Sequence, residues 1–349
     1  MTPVTVRPDL EIGGFRVAAG SRATIDLPVG KLSDHTPVSM SVHVAHGRRP
    51  GPTLFVSAAI HGDEVIGVEI ARRVLRAPQI DNLRGSLLVV PIVNAFGFLN
   101  HDRYLPDRRD LNRSFPGAPH GSLAGRLAHL FLNEVVLRSD FGIDLHSAAM
   151  HRSNLAQVRV SPARARTLQL ADAFGAPVTI VAKLRDGSLR QVAEERGVDM
   201  LLFEGGEALR LDETSARIGA SGVLRVMAAL GMIPSRGVPK AKARSVKATS
   251  SRWARAPMGG LLRSFKTIGD TVVEGEILGV VADPFGENEV EILSPDGGVV
   301  IGRRNMPIVN EGDALFHVGA TAHPDSEATI ETLTLAPQPD FMLDEDEII

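Results

Sequence analysis

His61-Gly62-Asp63-Glu64 is the first segment in this chain that could do chemistry. A histidine and a glutamate three residues apart, across a turn that glycine permits, can face one ion. The chain has no cysteine, so thiolate and disulfide chemistry are excluded, and any metal must be held by His, Asp or Glu. A third ligand is needed, and His146, at the end of Ile143-Asp144-Leu145-His146, is placed to supply it. Two histidines and one glutamate leave a tetrahedral zinc with one open position, the arrangement of hydrolytic sites. Zinc so held lowers the pKa of water to about 7 and polarises a carbonyl. Asp144, two residues before His146, shares its side of a strand and is a candidate acceptor for the imidazole's other N–H. Taken alone, a His-x-x-Glu pattern is more often a plain surface pair than a metal site.

Two further segments add chemistry. In Asp110-Leu111-Asn112-Arg113-Ser114-Phe115-Pro116-Gly117, the adjacent Asn112 and Arg113 can clamp a substrate carboxylate, Arg113 bidentately and Asn112 through its amide. Arg103, ten residues before Arg113, could polarise a scissile carbonyl and hold the oxyanion. With Arg108 and Arg109 nearby, these arginines read equally well as a solvated loop. In Phe203-Glu204-Gly205-Gly206-Glu207, Glu204 closes an apolar run before a Gly-Gly turn, where burying a carboxylate is costly without a role. It could take the proton of an attacking water and return it to a leaving nitrogen. Glu207 competes but lies past the turn, and the alternative is that Glu204 merely caps that turn.

The elements that must position these groups alternate. Thr53 to Ile60 is a continuous apolar run, as expected of a strand covered on both faces. Helical spacing follows over 64–75, a second buried strand over 86–93, and a helix over 122–137. Short strands are expected over 141–146, 178–182 and 200–204, and a helix over 216–230 closes the unit. Before them, residues 1–50 read as polar β strands, with Val38 to Val44 alternating. Strand–helix alternation predicts an α/β fold with a mixed, largely parallel sheet flanked by helices. Ligand groups then collect at the carboxyl ends of its strands.

After residue 234 the composition shifts to a basic stretch, read as a linker or edge strand. Beyond it, Pro257-Met258-Gly259-Gly260-Leu261-Leu262 repeats as Pro295-Asp296-Gly297-Gly298-Val299-Val300, each copy followed by Gly-Asp. The repeat predicts a small all-β module over 246–320, and it resembles the two-halved biotinyl/lipoyl carrier fold. Where carriers place a lysine, Asp283-Pro284-Phe285-Gly286-Glu287-Asn288 has none, so a shield or interface is expected instead. Residues 1–245 are expected to form the catalytic domain and 321–349 an acidic tail.

Taken in order, His61-Gly62-Asp63-Glu64, the Asp110–Gly117 segment, Asp144-Leu145-His146 and Phe203-Glu204-Gly205 resemble the succinylglutamate desuccinylase/aspartoacylase family, relatives of the zinc carboxypeptidases. The C-terminal module resembles the one carried by bacterial members. The resemblance implies a zinc-carboxypeptidase-like fold and a hydrolase with one zinc per chain that removes an acyl group from an amino acid's amine. It implies that His61, Glu64 and His146 hold zinc and that Glu204 is the general base and acid. Asn112 and Arg113 would bind the substrate carboxylate, Arg103 the carbonyl, and Arg190 would add a substrate contact. His101, His120 and His151 are expected at the surface or behind the ligands. Carboxypeptidases and aspartoacylase itself touch substrate with a late tyrosine; the only tyrosine here is Tyr104.

The rest of the composition narrows the class. The 349 residues are 44% apolar and 23% charged, with a net charge of −3, so a large core is available and no basic field favours nucleic acid. No signal peptide or membrane-length apolar run is visible, so a cytoplasmic protein acting on a small molecule is expected, with room for self-association. The competing readings are a metallocarboxypeptidase acting on peptides and a non-catalytic binding module.

Overall fold

The computed structural model describes residues 7–162, 164–241 and 244–321. Its first elements are strands. β1 (Leu10–Ile12) and β2 (Phe15–Val17) form a small hairpin, and β3 (Ser21–Lys31) runs antiparallel to β4 (Pro37–His46). The alternation of β4 is used as expected: Met40, Val42 and Val44 are fully buried.

The parallel centre follows. β5 (Arg49–Ala58) lies between β6 (Arg84–Val90) and β7 (Phe141–Ala148), all three parallel. Its apolar run serves two layers. Leu54 and Val56 face a cluster with α1 (Ile66–Leu75), while Phe55 packs edge-on against Phe131 at 6.0 Å. Phe131 belongs to α3 (Leu123–Glu134), whose Ser122 cap accepts from the Gly125 N–H. A short helix, α2 (Ala95–Asn100), sits between β6 and α3. The helix read from Glu64 begins only at Ile66, because the intervening residues turn away into the site.

Then come β8 (Arg152–Val160), α4 (Ala165–Phe174), β9 (Val178–Val181), α5 (Leu189–Glu195), β10 (Asp199–Glu207) and α6 (Glu213–Ala229). β10 lies parallel to β7 on one side and antiparallel to β8 on the other. The sheet is therefore mixed, parallel at its centre and antiparallel outward.

The C-terminal strands divide between two sheets. β11 (Val246–Ala248) extends β9 in parallel, and β12 (Ser250–Arg255) begins the module. β13 (Gly260–Ser264), β15 (Ile277–Ala282), β16 (Glu289–Leu293) and β18 (Ile308–Val309) form a four-stranded sheet. β14 (Thr271–Val272), β17 (Gly298–Arg304) and β19 (Ala314–Ala320) join the main one, where β17 pairs directly with β8. Thirteen strands thus form one sheet that runs from the N-terminal strands into the module. The internal repeat has a steric cause: a Cβ on Gly260 or Gly298, which open β13 and β17, would meet a carbonyl oxygen of the neighbouring strand at 2.2 or 2.0 Å. In the loop without a carrier lysine, the Asp283 carboxylate accepts from the backbone N–H groups of Phe285, Glu287 and Asn288. No helix among the described residues is long and apolar enough to cross a membrane. The acidic tail expected over 321–349 lies outside the described residues beyond Thr321.

Candidate metal centre and cleft

Because β5 and β7 are parallel neighbours, their carboxyl ends meet at one edge of the sheet. His61 and Glu64 follow β5 across a turn, and His146 stands near the end of β7. The turn requires Gly62, since a Cβ there would sit 2.0 Å from the carbonyl carbon of Gly97. One ligand atom from each of the three residues falls within 4.8 Å of the others, and all three residues are buried. His61 Nδ1 is 2.6 Å from Glu64 Oε1, and His146 Nδ1 is 2.7 Å from Glu64 Oε2. The other ring nitrogens turn outward to carboxylates: His61 Nε2 to Asp110 at 3.1 Å, and His146 Nε2 to Asp144 at 2.6 Å. Asp144 is itself steadied by the Ser57 hydroxyl, which donates to it at 2.7 Å.

The charges say what this centre is built for. Burial pushes the Glu64 carboxyl up, but the two imidazoles outweigh it and hold the group well below the usual carboxylate range. Burial opposes charge on His146, yet Asp144 and Glu64 raise it well above the ordinary value, and Glu64 with Asp110 raises His61 in the same way. The cluster stabilises positive charge at its middle. Two imidazoles facing a carboxylate, each anchored from behind by another carboxylate, form a donor set that fits a divalent cation.

The other expected residues line the same cleft, about 470 Å³ in volume. Arg103 reaches it from the α2–α3 loop, donating to Glu64 at 3.2 Å and to Asp110 at 3.1 Å. Asn112 is buried; its amide oxygen accepts from the Leu189 N–H at 2.9 Å and so ties this loop to α5. The Arg113 side chain bonds only the Asn112 carbonyl. Arg190, on α5, is 8% exposed and donates to the Lys183 carbonyl at 3.3 Å. Glu204 is half-buried; Asn154 donates to it, and Arg159 Nε lies 3.2 Å from its other oxygen. Glu207 is not in the cleft: it accepts from the His151 N–H and from Asn305 of the module. His101, His120 and His151 are exposed.

Sequence reasoning missed several lining residues. Arg152, Asn154 and Arg159 come from β8, Lys183 and Arg185 follow β9, and Trp253 and His317 come from β12 and β19. Trp253 stacks on His317 at 4.5 Å and 9°. A signal existed in part, as Arg152, Asn154 and Arg159 are polar residues in an otherwise strand-like stretch, and Trp253 is the only tryptophan. Tyr104 is not among the residues of the cleft.

An α/β sheet with buried His and Glu ligands at the carboxyl ends of its central strands, and an acid/base candidate on the next strand, defines a metallohydrolase-like protein. Residues 50–230 match the succinylglutamate desuccinylase/aspartoacylase catalytic domain, and the chain belongs to that family, with its zinc-carboxypeptidase-like fold. N-alpha-acetyl-L-2,4-diaminobutyric acid deacetylase of Halomonas elongata is 27% identical over 331 residues, 90% of this chain and 94% of that protein. A succinylglutamate desuccinylase/aspartoacylase from Rhodobacter sphaeroides superposes with a TM-score of 0.77 at 27% identity, covering 86% of this chain and 96% of that one. The product-bound ectoine utilization protein EutE (DoeB) from Ruegeria pomeroyi has the same fold, with a TM-score of 0.78 at 24% identity over 86% of this chain and 95% of that one.

Proposed function

We propose that this chain is a zinc-dependent amidohydrolase that removes the acyl group from a small N-acyl amino acid. The observation that carries the reading is the convergence of His61, Glu64 and His146 in the cleft that also holds Glu204 and Arg103. The relatives named above, a diaminobutyrate deacetylase among them, support the reaction class. Zinc as the ion, a cytoplasmic location and self-association belong to the same reading, as do a catalytic unit over 1–245 and a β-module over 246–320.

Zinc, when bound by His61, Glu64 and His146, supplies a Lewis acid for water and for the amide carbonyl. The chain's own residues do the rest. Asn112 and Arg113 hold the substrate carboxylate and so set the scissile amide in place. The Arg103 guanidinium faces the developing oxyanion. A carboxylate oxygen of Glu204 takes the proton of the attacking water and passes it to the leaving nitrogen. Asp144 and Asp110 hold the two imidazoles in orientation.

A screen of N-acetyl, N-succinyl and N-formyl amino acids, with and without a chelator, tests the reading. Hydrolysis that the chelator abolishes and added Zn²⁺ restores is expected. Release of C-terminal residues from peptides, with inertness toward every acyl amino acid, would replace the proposal with a carboxypeptidase.

A further inference from the structure

The cleft holds more positive charge than one carboxylate can use. Among the described residues, Arg113, Arg152, Lys183, Arg185 and Arg190 line it with no carboxylate at ion-pairing distance. Arg190 is nearly buried, and its Nη1 has no hydrogen-bond partner. A buried guanidinium without a counter-charge is costly unless a ligand supplies one. The crowding has electrostatic consequences: burial, then Arg159, lowers Arg190 to about 10, and burial, then Arg159 and Arg113, lowers Arg185.

The C-terminal strands form the wall of this cationic space. His317 is 5% exposed, lines the cleft, and has a buried Nδ1 with no partner. It is stacked on Trp253, and the Arg152 guanidinium lies 5.4 Å from the Trp253 ring centroid. Burial, then Arg159 and Arg185, lowers His317 to about 3, so its ring is neutral and adds hydrogen-bonding capacity without adding charge.

We propose that β12 and β19 complete the substrate site: Trp253 and His317, with Arg152, Arg185 and Arg190, form a chamber for a second carboxylate of the substrate, beyond the one clamped by Asn112 and Arg113. The substrate class is then an N-acyl amino acid with at least two carboxylates, the second on the side chain or on the acyl group. A substrate with a cationic side chain meets like charge there. The inference rests on the deacylase reading for its chemistry, but not for its binding.

Kinetics on the zinc-loaded full chain test it with N-acetyl-L-aspartate, N-succinyl-L-alanine, N-acetyl-L-alanine and N-acetyl-L-2,4-diaminobutyrate. One of the two dicarboxylates is expected to exceed N-acetyl-L-alanine in kcat/KM by at least about tenfold, and the cationic substrate by more. Arg185→Gln is expected to erase that preference through KM, changing N-acetyl-L-alanine by less than about threefold. Equal use of all four substrates, or an equal loss on all of them in Arg185→Gln, overturns the proposal. His317→Gln, which keeps a neutral polar group, serves as a second variant and is expected to weaken the dicarboxylate selectively.

A binding readout separates this idea from the reaction. Trp253 is the only tryptophan, so its fluorescence reports the chamber wall directly. Succinate is expected to give a saturable change that Arg185→Gln weakens, while acetate and 2,4-diaminobutyrate at the same concentrations give none. Succinate binding without any amide hydrolysis would keep the chamber and remove the deacylase reading. Hydrolysis with no charge preference and no succinate response would do the reverse.

Discussion

Glu204 and His146 are register partners on the parallel strands β10 and β7. The proposed acid/base is therefore set beside a proposed metal ligand by a backbone ladder, not by a flexible loop. Its carboxylate is further fixed from β8, by the Asn154 amide and the Arg159 guanidinium. Two strands orient the group and a third provides the centre it serves.

Glu204→Gln keeps the size and the contact with Asn154 but cannot accept a proton. Metal content is expected to stay at the wild-type level while kcat falls by about 10²–10⁴-fold. Elemental analysis beside steady-state rates checks both halves, and unchanged turnover would mean that another group moves the proton.

Asp144 is expected to act on the metal through His146. Asp144→Asn should weaken zinc binding by about 10–100-fold, as removal of such an outer partner typically does. His146→Ala should abolish it, leaving Glu64 buried with one imidazole fewer. Titration with buffered Zn²⁺ measures both, and an Asp144→Asn protein of unchanged affinity would contradict the role.

Asn112 has a structural duty beside its proposed contact with substrate. Asn112→Ala strands the buried Leu189 N–H and should cost about 1–3 kcal/mol of stability. Arg113→Ala removes only a bond to a neighbouring carbonyl and should raise KM with little change in unfolding midpoint. Denaturant melts and Michaelis curves for the pair distinguish the two roles.

His317 predicts an acid limb in stability. Its folded value is about 3, below the ordinary histidine value near 6.5. Between those values the unfolded chain binds a proton that the native chain refuses, so stability falls as pH drops from about 6.5 toward 3 and is unaffected above that range. His317→Gln should flatten this part of the curve. Chemical denaturation at pH 7 and pH 5 gives the comparison, and parallel losses in both proteins would exclude His317 as the source.

What could be read from the residues alone follows how each strand is buried. β5, β7 and β10 are covered on both faces, so their apolar runs stand out, and the chemistry at their ends, His61, His146 and Glu204, is easy to place. β8 was not legible because its two faces do different work. Ala156, Val158 and Val160 face the core, whereas Asn154 and Arg159 line the cleft, and the mixed pattern reads as loop. Trp253 and His317 escaped for a different reason. They lie far along the chain from the ligands, and only the pairing of β17 with β8, Gly302 opposite Asn154, brings their strands to the site. Composition could show that a β-module exists, but not that it shares a sheet with the catalytic strands.

That shared sheet makes the C-terminal portion hard to remove. Truncation after α6 would strip β17 from β8 and β11 from β9, baring two rows of backbone donors and acceptors beside an apolar interior. Exposed edges of that kind are templates for intermolecular stacking. A shortened chain would thus be prone to cluster into β-rich deposits, so selection on solubility alone would keep the appendage in place whatever it contributes to turnover.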